Sequence, residues 1–278
     1  MEWFEAAVEA VINGDAALLS ELLREHPELV TARSARVTKL HPPVHRATLL
    51  HYIAANGVEE QRQRTPENAV EIAKLLLNAG AEPDALADMY GAPRTTMSML
   101  VSSTPPATAG LQVALVEALV DAGASVETQT PLMTALAFGF GDTARALVRR
   151  GAKVDNLAAA AGLGMAELTA RLLPDSDHPA RHQALALAAQ HGHAEAVRLL
   201  LDAGEDPNRF NPEGFHSHST PLHQAALAGH AAVVRLLLAR GARPGTEDKV
   251  WKSTAAGWAR HGGRTEILAI LRAERKPD

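Results

Sequence analysis

"STPLHQAALAGHAAVVRLLLARGARPG", residues 219–245, holds two short helices and their punctuation in one line. Thr220 offers a side-chain oxygen for a helix N-cap. Pro221 suits the first helical position, where its missing N–H has no carbonyl to meet. "LHQAALA" is Ala-rich and small enough to pack closely on both sides, and Gly229 ends it. "AAVVRLLLARG" sets apolar residues at helical spacing. Gly241 stands just past its end, where left-handed backbone is wanted. A polar loop follows.

The pattern recurs, and repeats decide a fold before anything else does. "HQALALAAQHGHAEAVRLLLDAGEDPN" (182–208) matches it closely, and "TPLMTALAFGFGDTARALVRRGAKVD" (130–155) is a third copy. "TLLHYIAANG" (48–57) with "ENAVEIAKLLLNAGAEPDA" (67–85) is a fourth, split by the insertion "EEQRQRTP" (59–66). "TTMSMLVSS" (95–103) with "LQVALVEALVDAGASVE" (111–127) is a fifth, split by "TPPATAG" (104–110). These residues resemble the ankyrin-repeat family, of the bacterial, soluble kind, and the period agrees with the family's roughly 33 residues. The resemblance implies an all-α solenoid of about eight helix–turn–helix units with β-hairpin or finger loops, capped at both ends. It implies one domain over 1–278, with units near 3–30, 46–87, 88–127, 128–155, 156–175, 180–208, 217–245 and 250–273. Residues 156–173 lack a TPLH-like start and room for a finger. The first and last units are atypical, as caps with one neighbour should be.

Composition agrees and excludes. Hydrophobic residues are 46% and aromatics 4%, so the core must be Ala, Leu and Val. That mix favours helix and leaves little for a sheet. Net charge is −5 with no long basic run, which argues against nucleic acid as the partner. There is no cysteine, hence no disulfide, thiolate catalysis or Cys-ligated zinc. The acidic start "MEWFEAAVEA" does not read as a secretory signal, and no apolar run approaches the roughly 18 residues of a membrane span. The expectation is a cytoplasmic monomer.

The histidines divide. In ankyrin repeats the TPLH histidine bonds backbone in the adjoining turn, and the Gly-His histidine helps start the second helix. By position, His51 and His223 take the first role, His193 and His230 the second. His216 and His218 match neither. They lie in the enlarged finger "DPNRFNPEGFHSHS" with Arg209, Phe210 and Phe215. In extended backbone, residues i and i+2 share a face, which would point both imidazoles one way. The family's groove-facing register, read along the chain, is Asn56, Ser103, Phe138, Leu163, His191, Ala228 and, more loosely, Gly262 preceded by His261. His191, His216 and His218 are therefore candidates to converge, and zinc or another transition metal is the sharpest reading of three imidazoles. Zinc wants three or four protein ligands.

Other chemistry is sparse. No phosphate loop, nucleophile elbow, HExxH helix or dinucleotide fingerprint appears. Glu59, Glu60, Glu67 and Glu71 read as solvated or helix-dipole carboxylates, with Thr65 and Pro66 as cap and first helical residue. Each insertion reads either as one exposed functional edge or as a lengthened outer helix. The finger "TARSARVTKLHPPVHRA" (31–47) offers Arg33, Arg36, Lys39, His41, His45 and Arg46 to an acidic partner. Tyr90 with Met89, Phe138 and Trp251 join the finger aromatics as binding candidates, whereas Trp258 reads as packing. The expected function is a non-enzymatic scaffold binding a protein or peptide, with no resident cofactor. The competing reading is a metal- or small-molecule-binding domain, catalytic through His191 or His218 with Glu213.

Overall fold

The computed structural model describes residues 2–273. The chain forms two compact units, Met1–Ala135 with Asp142–Lys153, and Leu136–Gly141 with Val154–Asp278. Both are built from short helices joined by tight turns. Among the described residues no helix is long and apolar enough to cross a membrane.

The first unit opens with Glu2–Asn13 and Ala16–Glu25, whose buried faces include Val8, Val11, Leu19 and Leu22. Its repeats pair a short inner helix with a ten-residue outer one: Leu49–Tyr52 with Ala69–Asn78, and Thr96–Leu100 with Gln112–Asp121. In Ala69–Asn78 the buried positions Ala69, Ile72, Ala73 and Leu76 recur at helical spacing, so one stripe meets the core. Gln112 is a buried polar strut. Its Nε2 donates to Leu100 O at 2.9 Å and Ser103 O at 3.0 Å, and its Oε1 accepts from Thr143 Oγ1 at 2.6 Å.

The two insertions do not lengthen the outer helices. Each makes its own turn, Glu60–Arg62 and Thr104–Thr108. Nor do Thr65 and Pro66 begin the next helix, which starts at Ala69 after Asn68. Of the fingers, only 86–95 forms paired strands among the described residues, with Leu86 opposite Thr95 and Met89 opposite Ala92. Elsewhere the fingers are turns with isolated bridges at Val37–Val44 and Glu247–Thr254.

The second unit stacks Leu157–Gly162 with Ala166–Leu172, His178–Gln190 with Ala194–Asp202, Pro221–Ala228 with Ala231–Ala239, and Ala255–His261 with Thr265–Ala273. Its core is what the composition demanded: Ala161, Ala184, Leu185, Ala188, Val197, Leu200, Ala225, Val234 and Leu237 are buried together. Thr220 and His223 close a capping box, and Gly229 ends the helix at φ +88°.

The histidines of the TPLH type bind as the resemblance implies. His223 Nδ1 accepts the Thr220 N–H at 3.2 Å, and its Nε2 donates to Ser253 O at 3.2 Å. His51 repeats this with Thr48 N–H and Arg94 O, both at 3.2 Å. Burial holds the His51 imidazole down at about pKa 4 and lowers His223 likewise. A proton on His51 would land on Nδ1, the atom that accepts the cap N–H. The unfolded chain binds that proton near pH 6.5 and the folded chain only near 4, so acid favours unfolding across this window. The urea-unfolding equilibrium is expected to rise by up to about tenfold per pH unit between about pH 6 and 4 through this group. His51→Gln should flatten that slope; an unchanged slope would refute the assignment.

The Gly-His histidines stand at the start of the second helix as expected, but their side chains act elsewhere. Neither His193 nor His230 caps its own helix with its side chain. His230 reaches back one repeat, its Nε2 donating to Gln190 O at 3.0 Å. Gly192 makes room for it: an added Cβ would lie 2.5 Å from His230 Nδ1. His193 sits on Gly164 in the same way. Each is the N-cap residue of its outer helix through its backbone carbonyl, while its side chain joins neighbouring repeats.

Candidate functional site

The loop before the helix Ala255–His261 is organised around one buried carboxylate. Asp248 is 1% exposed. It accepts N–H bonds from Val250 (2.9 Å), Trp251 (2.6 Å) and Ser253 (3.0 Å), and its Oδ2 accepts Trp258 Nε1–H at 3.0 Å. Burial pushes this carboxyl up more than any other single effect. The bonds from Trp258 and the backbone outweigh it, holding the group down at about pKa 2. The same loop is tied to the preceding finger by Lys249 N–H donating to His218 O at 2.8 Å.

This carboxylate sets two tryptophans in place. Trp258 is buried, while Trp251 is 66% exposed. Their ring centroids lie 5.7 Å apart, edge to face. His218 completes the cluster, 5.1 Å from Trp251 and 5.7 Å from Trp258. Such centroid spacings lie in the favourable range for aromatic contacts. A cavity of about 480 Å³ opens here, lined chiefly by His216, His218, Trp251, Trp258, His261 and Gln224. Gly257 lines it and lets Ser253 approach closely: an added Cβ would lie 2.0 Å from Ser253 Oγ. The volume is in the range of ligand pockets, about 300–1,000 Å³.

His216 and His218 both face this cavity, but not through extended backbone. His216 has φ +60°, and the two rings stand at 83° to each other. His216 Nε2 donates to Ala137 O at 3.1 Å, and His191 Nε2 donates to Leu136 O at 2.8 Å. Leu136 and Ala137 end the helix Pro131–Ala137, and terminal carbonyls there lack intrahelical donors. The imidazoles bond them alongside Gly139 N–H on Leu136 O at 3.0 Å and Gln190 Nε2–H on Ala137 O at 3.2 Å. Burial lowers the His216 pKa, consistent with a neutral ring donating from Nε2. Among the described residues no three His, Cys, Asp or Glu side chains are grouped to hold a metal ion. The three imidazoles are thus not assembled as ligands: two are engaged at a helix end and the third packs against tryptophan.

The remaining candidates scatter. Arg209 meets His178 Nε2, whose Nδ1 lies 2.9 Å from the buried Glu205. Phe210 is covered by Lys249 Nζ at 4.4 Å from its ring centroid, and Phe215 is half-buried in a turn, its N–H on Pro212 O at 3.0 Å. Phe138 is 54% exposed and stacks with Phe140 at 6.5 Å. Tyr90, in the first unit, is equally exposed as a residue, but its hydroxyl is held at Gly57 O (2.8 Å) and Asn56 Oδ1 (2.9 Å). Trp258 and His261 belong to the site although neither stands among the binding candidates. Trp258 packs as expected and also lines the cavity.

Sequence reasoning missed a second constellation, in the first unit. Glu59 is no solvated carboxylate: its side chain is 9% exposed. His45 Nε2 lies 2.6 Å from its Oε1, and Tyr52 donates to the same oxygen at 2.8 Å. Arg62 and Arg36 approach Oε2 at 3.2 and 3.3 Å, and Arg62 also meets Glu5 at 2.6 Å. Burial pushes Glu59 up, but His45, Tyr52 and Arg62 together bring its pKa below the ordinary value. Burial also raises the Tyr52 hydroxyl. Three residues of the basic finger therefore find partners within the chain, His45 buried and Arg33 and Arg36 still exposed. Arg33 joins Arg36 and His45 in this, donating to Arg46 O at 3.1 Å and to Leu86 O.

A comparison with curated proteins finds no match. The family model for ankyrin repeats matches residues 156–248 in three copies. That stretch includes the unit beginning at 156, whose sequence is the least regular and whose helices nevertheless pair like the others. The match shows ankyrin repeats over residues 156–248, and the helix pairs and capping boxes of the rest of the described chain follow the same pattern.

Proposed function

We propose that the chain is a non-enzymatic binding module for a protein or peptide, anchored at the cavity between Trp251, Trp258 and His218. One observation carries this reading: a two-thirds-exposed tryptophan stands over a largely apolar cavity whose far wall is a fixed second tryptophan. Exposed aromatics over pockets are the usual anchors of association. Ankyrin repeats are generally protein-interaction modules, which supports a macromolecular partner. Catalysis is less well supported. No carboxylate lines the cavity among its described residues, Asp248 is already bonded to four donors, and Glu213 is exposed outside it. A cytoplasmic monomer without cysteine accords with the same reading.

The test is quantitative co-purification with the full chain, comparing wild type with Trp251→Ala, His218→Ala and, as control, the exposed neighbour Val250→Ala. Proteins recovered with wild type and control should fall by about tenfold or more with both cavity variants, as loss of an anchor implies. Equal recovery by all four proteins would remove the cavity from the interaction.

A further inference from the structure

The cavity's surroundings indicate what kind of segment it takes. Lys249 and Lys252 flank Trp251 in the loop, Arg260 precedes the lining residue His261, and Arg264 Nε donates to the carbonyl of Leu227, another lining residue, at 3.0 Å. All four cations are exposed. None of them is in an ion pair among the described residues. Three arginines elsewhere in this unit find carboxylates, Arg198 with Glu195 and Asp202, Arg240 with Asp202, and Arg235 with Glu266, while others such as Arg181 and Arg209 bond neutral groups instead. Against the four cations stand two exposed carboxylates on the same loops, Glu213 and Glu247. The third, Asp248, has its charge consumed by four internal donors. The rim is thus locally cationic on a chain whose net charge is −5.

From this charge pattern around an aromatic cavity we infer that the partner is an acidic peptide segment carrying one large apolar or aromatic side chain. The side chain fills the space between Trp251, Trp258 and His218. The flanking carboxylates meet Lys249, Lys252, Arg260 and Arg264. Each element has its physical reason. The two tryptophans and Leu227 suit an apolar or aromatic side chain inside, and the rim is too charged to favour a plain hydrophobic strand. Complementary charge at a rim speeds encounter and rejects wrong partners more than it adds affinity, and it weakens with salt. The inference rests on the binding reading above, and its test separates the two.

The probes are short fluorescein-labelled peptides, read by anisotropy against the full-length protein. One has a single Phe flanked by Glu. The others replace the Glu residues by Gln, replace them by Lys, or keep Glu and change Phe to Ala. Oligo-dT serves as a competitor, since cations beside aromatics also suit single-stranded nucleic acid. The Glu–Phe peptide should bind about tenfold more tightly than its Gln counterpart and lose that advantage at high salt. The Lys and Ala peptides should fall away. Trp251→Ala should abolish binding of both Phe peptides. Lys249→Glu with Lys252→Glu should erase the preference for Glu over Gln while leaving the Gln peptide bound. Equal binding of Glu and Gln peptides overturns the acidic partner and leaves the cavity as a binding site. No binding by any Phe peptide overturns both. Displacement by oligo-dT at lower concentration than by unlabelled Glu–Phe peptide overturns the peptide assignment in favour of nucleic acid.

Discussion

Glu59→Ala should destabilise the first unit by about 3–5 kcal/mol, the usual cost of removing one partner from a buried ion pair. The side chain is the acceptor on which three separate segments meet. His45 and Arg36 come from the long finger, Tyr52 from an inner helix, and Arg62 from the first insertion. Removing the carboxylate leaves the Arg62 guanidinium, 10% exposed, with only Glu5 and Glu9 to offset its charge. It also strands the His45 imidazole, whose ring is 1% exposed. The pH dependence follows from the depressed pKa. The contribution is fully present above the unfolded value near 4.5 and is lost as pH falls through the lower folded value. Urea unfolding of the full chain would measure the loss. A double-mutant cycle with His45→Ala should give a coupling of about 1–3 kcal/mol, because the two groups share one bond. Strictly additive effects would show that the cluster is not a single network.

Much of the fold was legible because its signals are local. Thr220, His223, Gly229 and Gly241 act within one repeat, and their capping roles follow from residue type and spacing alone. His216 and His218 could be set apart as outside the repeat pattern for the same reason. Their partners could not be read. His216 bonds a carbonyl 79 residues away, and only the stacking of repeats brings that helix end beneath it. Glu59 was illegible in a different way. In "EEQRQRTP" it looks like its neighbours, and Glu60 is indeed exposed. What buries Glu59 is the finger folding back through Arg36 and His45, a long-range closure that leaves no trace in local periodicity. Asp248 was hidden likewise: a lone Asp in a polar loop gives no hint that four donors converge on it. The insertions misled because a Pro-containing stretch before a helix resembles a helix start, while tertiary contacts made each a separate turn.

Trp258→Ala should cost about 3–5 kcal/mol, typical of deleting a buried aromatic, and should also empty the back wall of the binding cavity. Two effects are combined in that figure, and a second variant separates them. Trp258→Phe keeps most of the ring contacts with His218, His223 and Trp251 but removes the indole N–H. Its expected cost is about 1.5–3 kcal/mol, the value of a hydrogen bond to a charged group. Asp248 would then retain only its three backbone donors. That residue supplies the diagnostic readout. Its folded pKa is held near 2 against an ordinary value of 3.8. The stability it contributes is therefore present above about pH 3.8 and is lost as pH falls from there toward 2. In Trp258→Phe the folded pKa should rise, so the loss still begins near pH 3.8 but is smaller and ends at higher pH, and in Asp248→Asn the acid-dependent fall across this window should disappear. If Trp258→Phe proves as stable as wild type with an unchanged acid limb, the indole–carboxylate bond does not hold the loop. Trp251 must then owe its position over the cavity to the three backbone bonds of Asp248 alone.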